Sequence, residues 1–236
     1  MFKKKINIFC EKPISNNLQS LKKIRKKIID NKNFFFVNYQ LKQHTLVKKL
    51  KMLIRGKKIY HIEARVGHNL KYWRSNKIRN SSYYVNSKKG GGVIFELIHE
   101  INLIKYIFGH ITKIKTIKNS FALKKTEDHA LSIFKTIKNI PGTLIQDMLS
   151  ERKERYFKVL TTKNTITLDF IQNKIFILNN KSSKTIKNKY KDDQLNLIRK
   201  NIKYYIEWIK RGEFNISLFD EAVKDLKICK KMHEKF

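Results

Sequence analysis

The sequence predicts an α/β (α+β) chain: a short strand–helix–strand unit of a parallel sheet, followed by a mostly antiparallel sheet with flanking helices. Three observations predict it. Two short apolar runs, residues 6–10 and 34–37, bracket an amphipathic helical stretch, the pattern of a strand–helix–strand unit. From Thr112 onward the hydrophobic period drops to two over consecutive segments joined by short polar turns, which implies antiparallel pairing. Between them lies KKGGGVIFELIHEINLIKYIFGH, residues 88–110, where three glycines open an apolar run at helical spacing.

The first strand ends at Glu11-Lys12-Pro13, where Pro13 fixes a turn and disfavours helix at Lys12. Ser15, Asn16 or Asn17 can cap the next helix, whose core face is Leu18, Leu21, Ile24 and Ile28. Residues 31–33 (NKN) break it before the second strand. Parallel sheets bind ligands outside the carboxyl ends of their strands, and Lys12 and Asn38 both lie at such ends. Leu46, Leu50, Leu53 and Ile54 mark a short helix ended by Gly56. Residues 59–66 read as a strand. Residues 67–86 form a polar, aromatic loop, long for a compact domain. Its Trp73, Arg74, Tyr83 and Tyr84 are placed either to contact a ligand or to fix the loop to the body.

In the central stretch Ile94, Leu97, Ile98, Ile101, Ile104 and Phe108 predict one helix with a core face, closed by Gly109. Glu96, His99 and Asn102, spaced by three, share a stripe. Gly90, Gly91 and Gly92 permit close backbone approach to a ligand, and the stripe sets a titratable imidazole beside them. A structural role for a lone helical histidine is the competing reading. Residues 112–119, 130–137, 143–149, 156–160, 166–170 and 175–178 follow as strands, with turns through Asn139-Ile140-Pro141-Gly142, Lys163-Asn164 and Gln172-Asn173. Residues 179–193 read as a lysine-rich loop. A helix over 194–211 turns Leu195, Ile198, Ile202, Tyr205 and Ile209 inward, and a helix over about 218–234 closes the chain.

The formal charge is +34, from 53 Lys+Arg against 19 Asp+Glu. Such a balance points to nucleic acid or an anionic membrane. The lysines, however, are spread over nearly every segment, alongside abundant Ile and Asn, and all three residue types have A/T-rich codons. Composition bias therefore accounts for the charge better than a binding patch. The densest run (Lys22, Lys23, Arg25, Lys26, Lys27) lies on a helix that also has an apolar face, and reads as its solvated side. Cys10 and Cys229 form neither a metal-ligand spacing nor a disulfide framework. No run approaches the ~20 apolar residues of a membrane span, and the N-terminal apolar run is too short for a signal peptide. The expectation is a cytoplasmic protein without a metal.

Taken together, a strand ending in Glu11-Lys12-Pro13, then Asn38-Tyr39, the helix ended by Gly56, the Gly90 to Gly92 turn, His99, Gly109, and the later strands and helices in this order resemble the Gfo/Idh/MocA oxidoreductases. The resemblance covers residues 6 to about 231. It implies NAD- or NADP-dependent hydride transfer on sugars or nucleotide sugars. It also implies an N-terminal dinucleotide-binding fold and a C-terminal α/β domain with an open, mostly antiparallel sheet that often forms the oligomer interface. Carried over residue by residue, it makes Lys12 and His99 catalytic and puts Glu11, Lys12 and Pro13 at the cofactor. With the strand-end, loop and helix-stripe positions above, Lys12, Asn38, Tyr39, Trp73, Arg74, Glu96 and His99 are the candidate substrate residues. The chemistry agrees: oxidising a carbinol needs a group to accept the hydroxyl proton as hydride leaves, and a near-neutral histidine or a lysine of depressed pKa does this.

The chain departs from the family pattern where Glu96 and Asn102 stand in place of Asp, Lys42 often in place of Arg, and Thr45 in place of Pro. The change at Asn102 removes a charge that could orient the imidazole. The sequence also lacks G-x-G-x-x-G and its following ribose-binding acid. On this basis residues 1–42 are expected to be the C-terminal remnant of a Rossmann-type sheet, 43–215 a substrate and oligomerisation domain, and 216–236 a helix packing back on the first domain. The remnant would leave Ile6, Ile8, Phe34, Phe35 and Phe36 partly exposed at an unpaired edge. The implied partners are a sugar substrate, a separate N-terminal half, and further copies of the chain through the open sheet. The alternative is a non-catalytic remnant that binds sugar or oligomerises; nucleic-acid binding ranks below both.

Overall fold

The structure, a computed structural model, describes residues 6–73 and 85–234. Strands β1 (Ile8–Cys10) and β2 (Phe35–Val37) pair in parallel, Ile8 opposite Phe35. Helix α1 (Leu18–Asp30) joins them, with Asn17 Oδ1 accepting the Gln19 N–H at 2.9 Å as its cap. Leu21 and Ile28 are buried on its inner face, as the spacing requires. Lys32 takes a positive φ of 48° where the helix ends. A 3-10 turn (Gln40–Gln43) leads into α2 (Thr45–Leu53).

The larger sheet has eight strands: β3 (Ile59–Gly67), β4 (Ile111–Asn119), β5 (His129–Thr136), β6 (Pro141–Asp147), β7 (Glu154–Thr161), β8 (Thr165–Asp169), β9 (Lys174–Leu178) and β10 (Ser183–Lys187). Their spatial order is β10-β9-β8-β7-β3-β6-β5-β4. Every pair is antiparallel except β3–β6. Inward residues such as Ile62, Ala64, Leu144, Phe157, Val159, Ile166 and Leu168 are fully buried. They face α2, the short α3 (Leu70–Trp73) and α4 (Val93–Glu96), and α5 (His99–Phe108). The opposite face is open and exposes Ile133, Leu160 and Leu178. Two helices, α6 (Gln194–Arg211) and α7 (Ser217–Met232), close the chain, and α7 touches β2, α1 and β4. No helix among the described residues is long and apolar enough to cross a membrane.

Five expectations change. The central helix is not continuous: α4 ends at Glu96, and Leu97 leaves helical geometry (φ −102°, ψ 31°) before α5. Two carbonyls at the break are taken from outside the helix. Lys12 Nζ donates to Glu96 O at 2.6 Å, and Gln146 Nε2 donates to Leu97 O at 2.9 Å. The loop 67–86 contains α3, and the loop 179–193 contains β10, an edge strand with one partly buried apolar residue, Ile186. Helix α6 turns Leu197, Asn201 and Tyr205 inward, while Leu195 and Ile202 face solvent. Polar anchors set this rotation: Tyr205 Oη donates to Val37 O at 2.8 Å and Asn201 Nδ2 to Asn38 Oδ1 at 2.9 Å. Finally, Phe35 and Phe36 are buried rather than exposed. Phe35 meets Phe219 of α7 edge-on at 5.2 Å, and Phe36 stacks on Tyr205 at 4.3 Å.

Candidate functional site

Lys12 stands in the turn that follows β1, where the Lys12–Pro13 peptide is cis and Pro13 is half-buried. From there its side chain reaches the break between α4 and α5. The amine is held below the usual lysine range by burial, against the opposing pull of Glu96 and Glu100. His99, the first residue of α5, is 7% exposed, and its Nδ1 has no hydrogen-bond partner among the described residues. Burial drives its pKa well below the ordinary histidine value, and the charges of Lys12 and Arg155 add to this. The imidazole is therefore neutral near pH 7, with a ring nitrogen free to accept a proton.

Two carboxylates border these groups. Glu96 is buried and its Oε1 is unpartnered. Glu100 is fully buried, with Oε1 receiving Arg155 Nε at 2.7 Å and Oε2 unpartnered. Burial raises the Glu100 carboxyl and Arg155 opposes it. An unpaired buried acceptor costs about 1–3 kcal/mol. Glu96 Oε1 and Glu100 Oε2 can each accept a hydrogen bond from a donor brought to the site.

The remaining predicted residues divide. Asn38 is fully buried and works as a brace: its Nδ2 donates to Glu11 Oε1 at 2.7 Å and its Oδ1 accepts from Asn201. Glu11 itself is exposed. Tyr39 sets its ring edge-on to His99 at 6.0 Å. Its hydroxyl is buried without a hydrogen-bond partner and held well above its usual pKa by burial and then by Asp225. Arg74, Tyr83 and Tyr84 lie outside the described residues, as does the side chain of Trp73. The glycine turn is not a ligand cradle. A Cβ at Gly90 would meet Asn16 at 2.8 Å, and one at Gly92 would collide with the Glu127 carboxylate. With φ of 82° and 108°, these two glycines serve close packing of the chain on itself.

Sequence reasoning missed Glu100, Arg155 and Asp225. Glu100 lies beside the predicted stripe, and Arg155 sits in the run ERKER, which looks solvated. Asp225 answers the missing charge at position 102: Asn102 Nδ2 donates to Asp225 Oδ2 at 2.6 Å, and Lys105 Nζ lies 2.7 Å from Asp225 Oδ1. Nearby, Lys42 lies 5.6 Å from the Tyr39 ring centre and 5.7 Å from that of Tyr106. Burial, then Lys105, lowers its pKa to about 8. Among the described residues no group of three or more His, Cys, Asp or Glu could hold a metal ion.

Comparison with known proteins adds the following. The family description "GFO/IDH/MocA C-terminal domain" matches residues 47–167. No curated protein matches the sequence. Among solved structures, a levoglucosan dehydrogenase in complex with NADH and levoglucosan is similar, with a TM-score of 0.82, 11% identity, and coverage of 96% of this chain and 70% of that one. A UDP-N-acetylglucosamine 3-dehydrogenase from Acidithiobacillus ferrooxidans has a TM-score of 0.77, 12% identity, and coverage of 95% and 68%. An inositol dehydrogenase homolog complexed with NAD+ from Azotobacter vinelandii has a TM-score of 0.73, 12% identity, and coverage of 95% and 68%. At these identities the likeness is one of fold.

Proposed function

Because the chain belongs to the GFO/IDH/MocA family, we propose that it forms the substrate-binding part of an NAD- or NADP-dependent oxidoreductase acting on a sugar or nucleotide sugar. The observation that carries this is the cluster at the α4–α5 break. It gathers a neutral buried imidazole, a lysine of lowered pKa, and two unpartnered buried carboxylate oxygens.

The residues present fit one end of a dinucleotide and not the other. The turn at Lys12 lies at the carboxyl end of β1, where parallel sheets receive the reacting end of such ligands. The glycines pack on Asn16 and Glu127 rather than on phosphate. The nicotinamide, when supplied with the other half, is the hydride acceptor or donor.

This chain's own groups have distinct tasks in the proposal. His99 takes the proton of the reacting hydroxyl; with its pKa depressed, it begins unprotonated. Lys12 donates a hydrogen bond to the same oxygen. Glu96 and Glu100 accept from neighbouring hydroxyls, and Arg155 fixes the Glu100 carboxyl by direct pairing. Among the described residues β1 pairs only with β2, while Ile6 and Phe9 stay exposed beside it.

The test is sugar oxidation by the chain together with a dinucleotide-binding unit. His99→Ala is expected to lower kcat by ~100- to 10,000-fold, the range for loss of a general base, with folding intact. An unchanged kcat contradicts the assignment. The open face of the large sheet, with Ile133 62% and Leu178 49% exposed, supports self-association of the chain. Ile133→Lys should then move the protein from dimer or larger to monomer in sedimentation analysis; a monomeric wild type opposes this reading.

A further inference from the structure

We infer that the cavity between α5, α7 and the start of β4 is a binding site for a small amphipathic anion, one with a single anionic head on a short apolar body. The cavity has a volume of about 290 Å³, at the lower limit for small-molecule sites. It is separate from the Lys12–His99 cluster, none of whose members line it.

Its lining is apolar on the floor and side and cationic at the rim, and it also includes Lys105, His110 and the carboxylate of Asp225. Ile101, Ile111, Ile137 and Ile228 make an apolar floor and side. The rim is cationic. Lys224, Lys227 and Lys231 are spaced three and four apart on α7, so they stand on one face of that helix.

The charges are not balanced within the protein. Lys105, deep in the cavity, is satisfied by Asp225 at 2.7 Å and Glu221 at 3.0 Å. Lys224 is satisfied by Glu221 at 2.8 Å. Among the described residues Lys227 and Lys231 have no acidic partner, and both are exposed. Two uncommitted ammonium groups therefore stand over an isoleucine-lined recess. A neutral apolar guest would leave them unanswered, and a bare inorganic anion would leave the recess to water. A guest with one anionic head and an apolar body satisfies both at once.

The head is a carboxylate or a phosphate monoester, and the experiment separates these. The whole chain, with isoleucine methyls labelled, is titrated by NMR with octanoate, octyl phosphate, octanol and inorganic phosphate. The inference predicts saturable shifts of the Ile101, Ile137 and Ile228 methyls with octanoate or octyl phosphate, the tighter of the two identifying the head. Octanol and inorganic phosphate should bind at least ten-fold more weakly. Lys227→Glu with Lys231→Glu, both exposed and so without effect on folding, should weaken the anion at least ten-fold. Octanol binding as tightly as the anions, inorganic phosphate binding as tightly, undiminished binding by the double variant, or no saturable shift at millimolar ligand would each overturn it.

Discussion

Asn102 shows how a single residue can be misread from its own position. Its amide looks like the loss of a carboxylate beside His99. In three dimensions the carboxylate has moved to Asp225 of α7, 2.6 Å from Asn102 Nδ2 and 1% exposed. Burial raises the Asp225 carboxyl, while Lys105 and Asn102 oppose that rise. Restoring an aspartate at 102 would set two carboxylates at hydrogen-bond distance in a buried site, and one would have to hold a proton. Asn102→Asp is therefore expected to destabilise the fold by about 1–3 kcal/mol at pH 7 in urea denaturation. The folded pKa of that pair lies above its unfolded value, so the loss should shrink as pH falls toward the unfolded carboxylate range. Asn102→Asp combined with Asp225→Asn should recover most of the stability at pH 7. A neutral single variant contradicts the arrangement.

At the scale of elements, β1, α1, β2, α2 and the meander from β4 to β9 were legible because their signals are local. Leu21 and Ile28 repeat at helical spacing, and Asn17 stands where a cap belongs. What escaped depends on distant partners. The break at Leu97 is held by Lys12, 84 residues from Glu96, and by Gln146, 49 residues from Leu97. The rotation of α6 depends on Asn201 meeting Asn38, 163 residues away. The site residue Arg155 was hidden for the same reason, since its partner Glu100 is 55 residues away.

The start of α2 carries a pH prediction at this scale. His44 Nδ1 accepts the Leu46 N–H at 3.2 Å as the helix cap, and burial lowers its pKa to about 4, against the pull of Asp192. The unfolded chain binds this proton from pH ~6.5 downward, and the folded chain only near 4. Stability from this group is thus complete above pH ~6.5 and declines as pH falls through that window, by about 1.4 kcal/mol for each pH unit at most. His44→Asn keeps a capping acceptor and removes the titration. Its melting temperature should fall less than that of the wild type between pH 6.5 and 4.5. Identical pH profiles would oppose the role given to His44.

For the whole molecule, the two sheets differ in how complete they are. The eight-stranded sheet is covered on one face by its own helices. The two-stranded sheet has its faces closed by α6 and α7 through Tyr205 and Phe219, while among the described residues no strand pairs with the other edge of β1, where Phe9 lies against Tyr205 at 5.4 Å. Helix α6 also exposes Ile202 and Ile206. An open parallel edge next to exposed apolar side chains is a surface suited to another strand. Lys12 of the proposed reaction stands two residues after β1. Lys12 and His99 are proposed as members of one half of a hydride-transfer site. An NADH fluorescence titration tests it most directly, on the 236-residue chain alone and after addition of a polypeptide carrying a strand–helix–strand unit with G-x-G-x-x-G. No saturable binding by the chain alone is expected, and saturable binding by the mixture beyond that of the added polypeptide, weakened by Lys12→Ala. Saturable binding by the chain alone, or no gain on mixing, would contradict it.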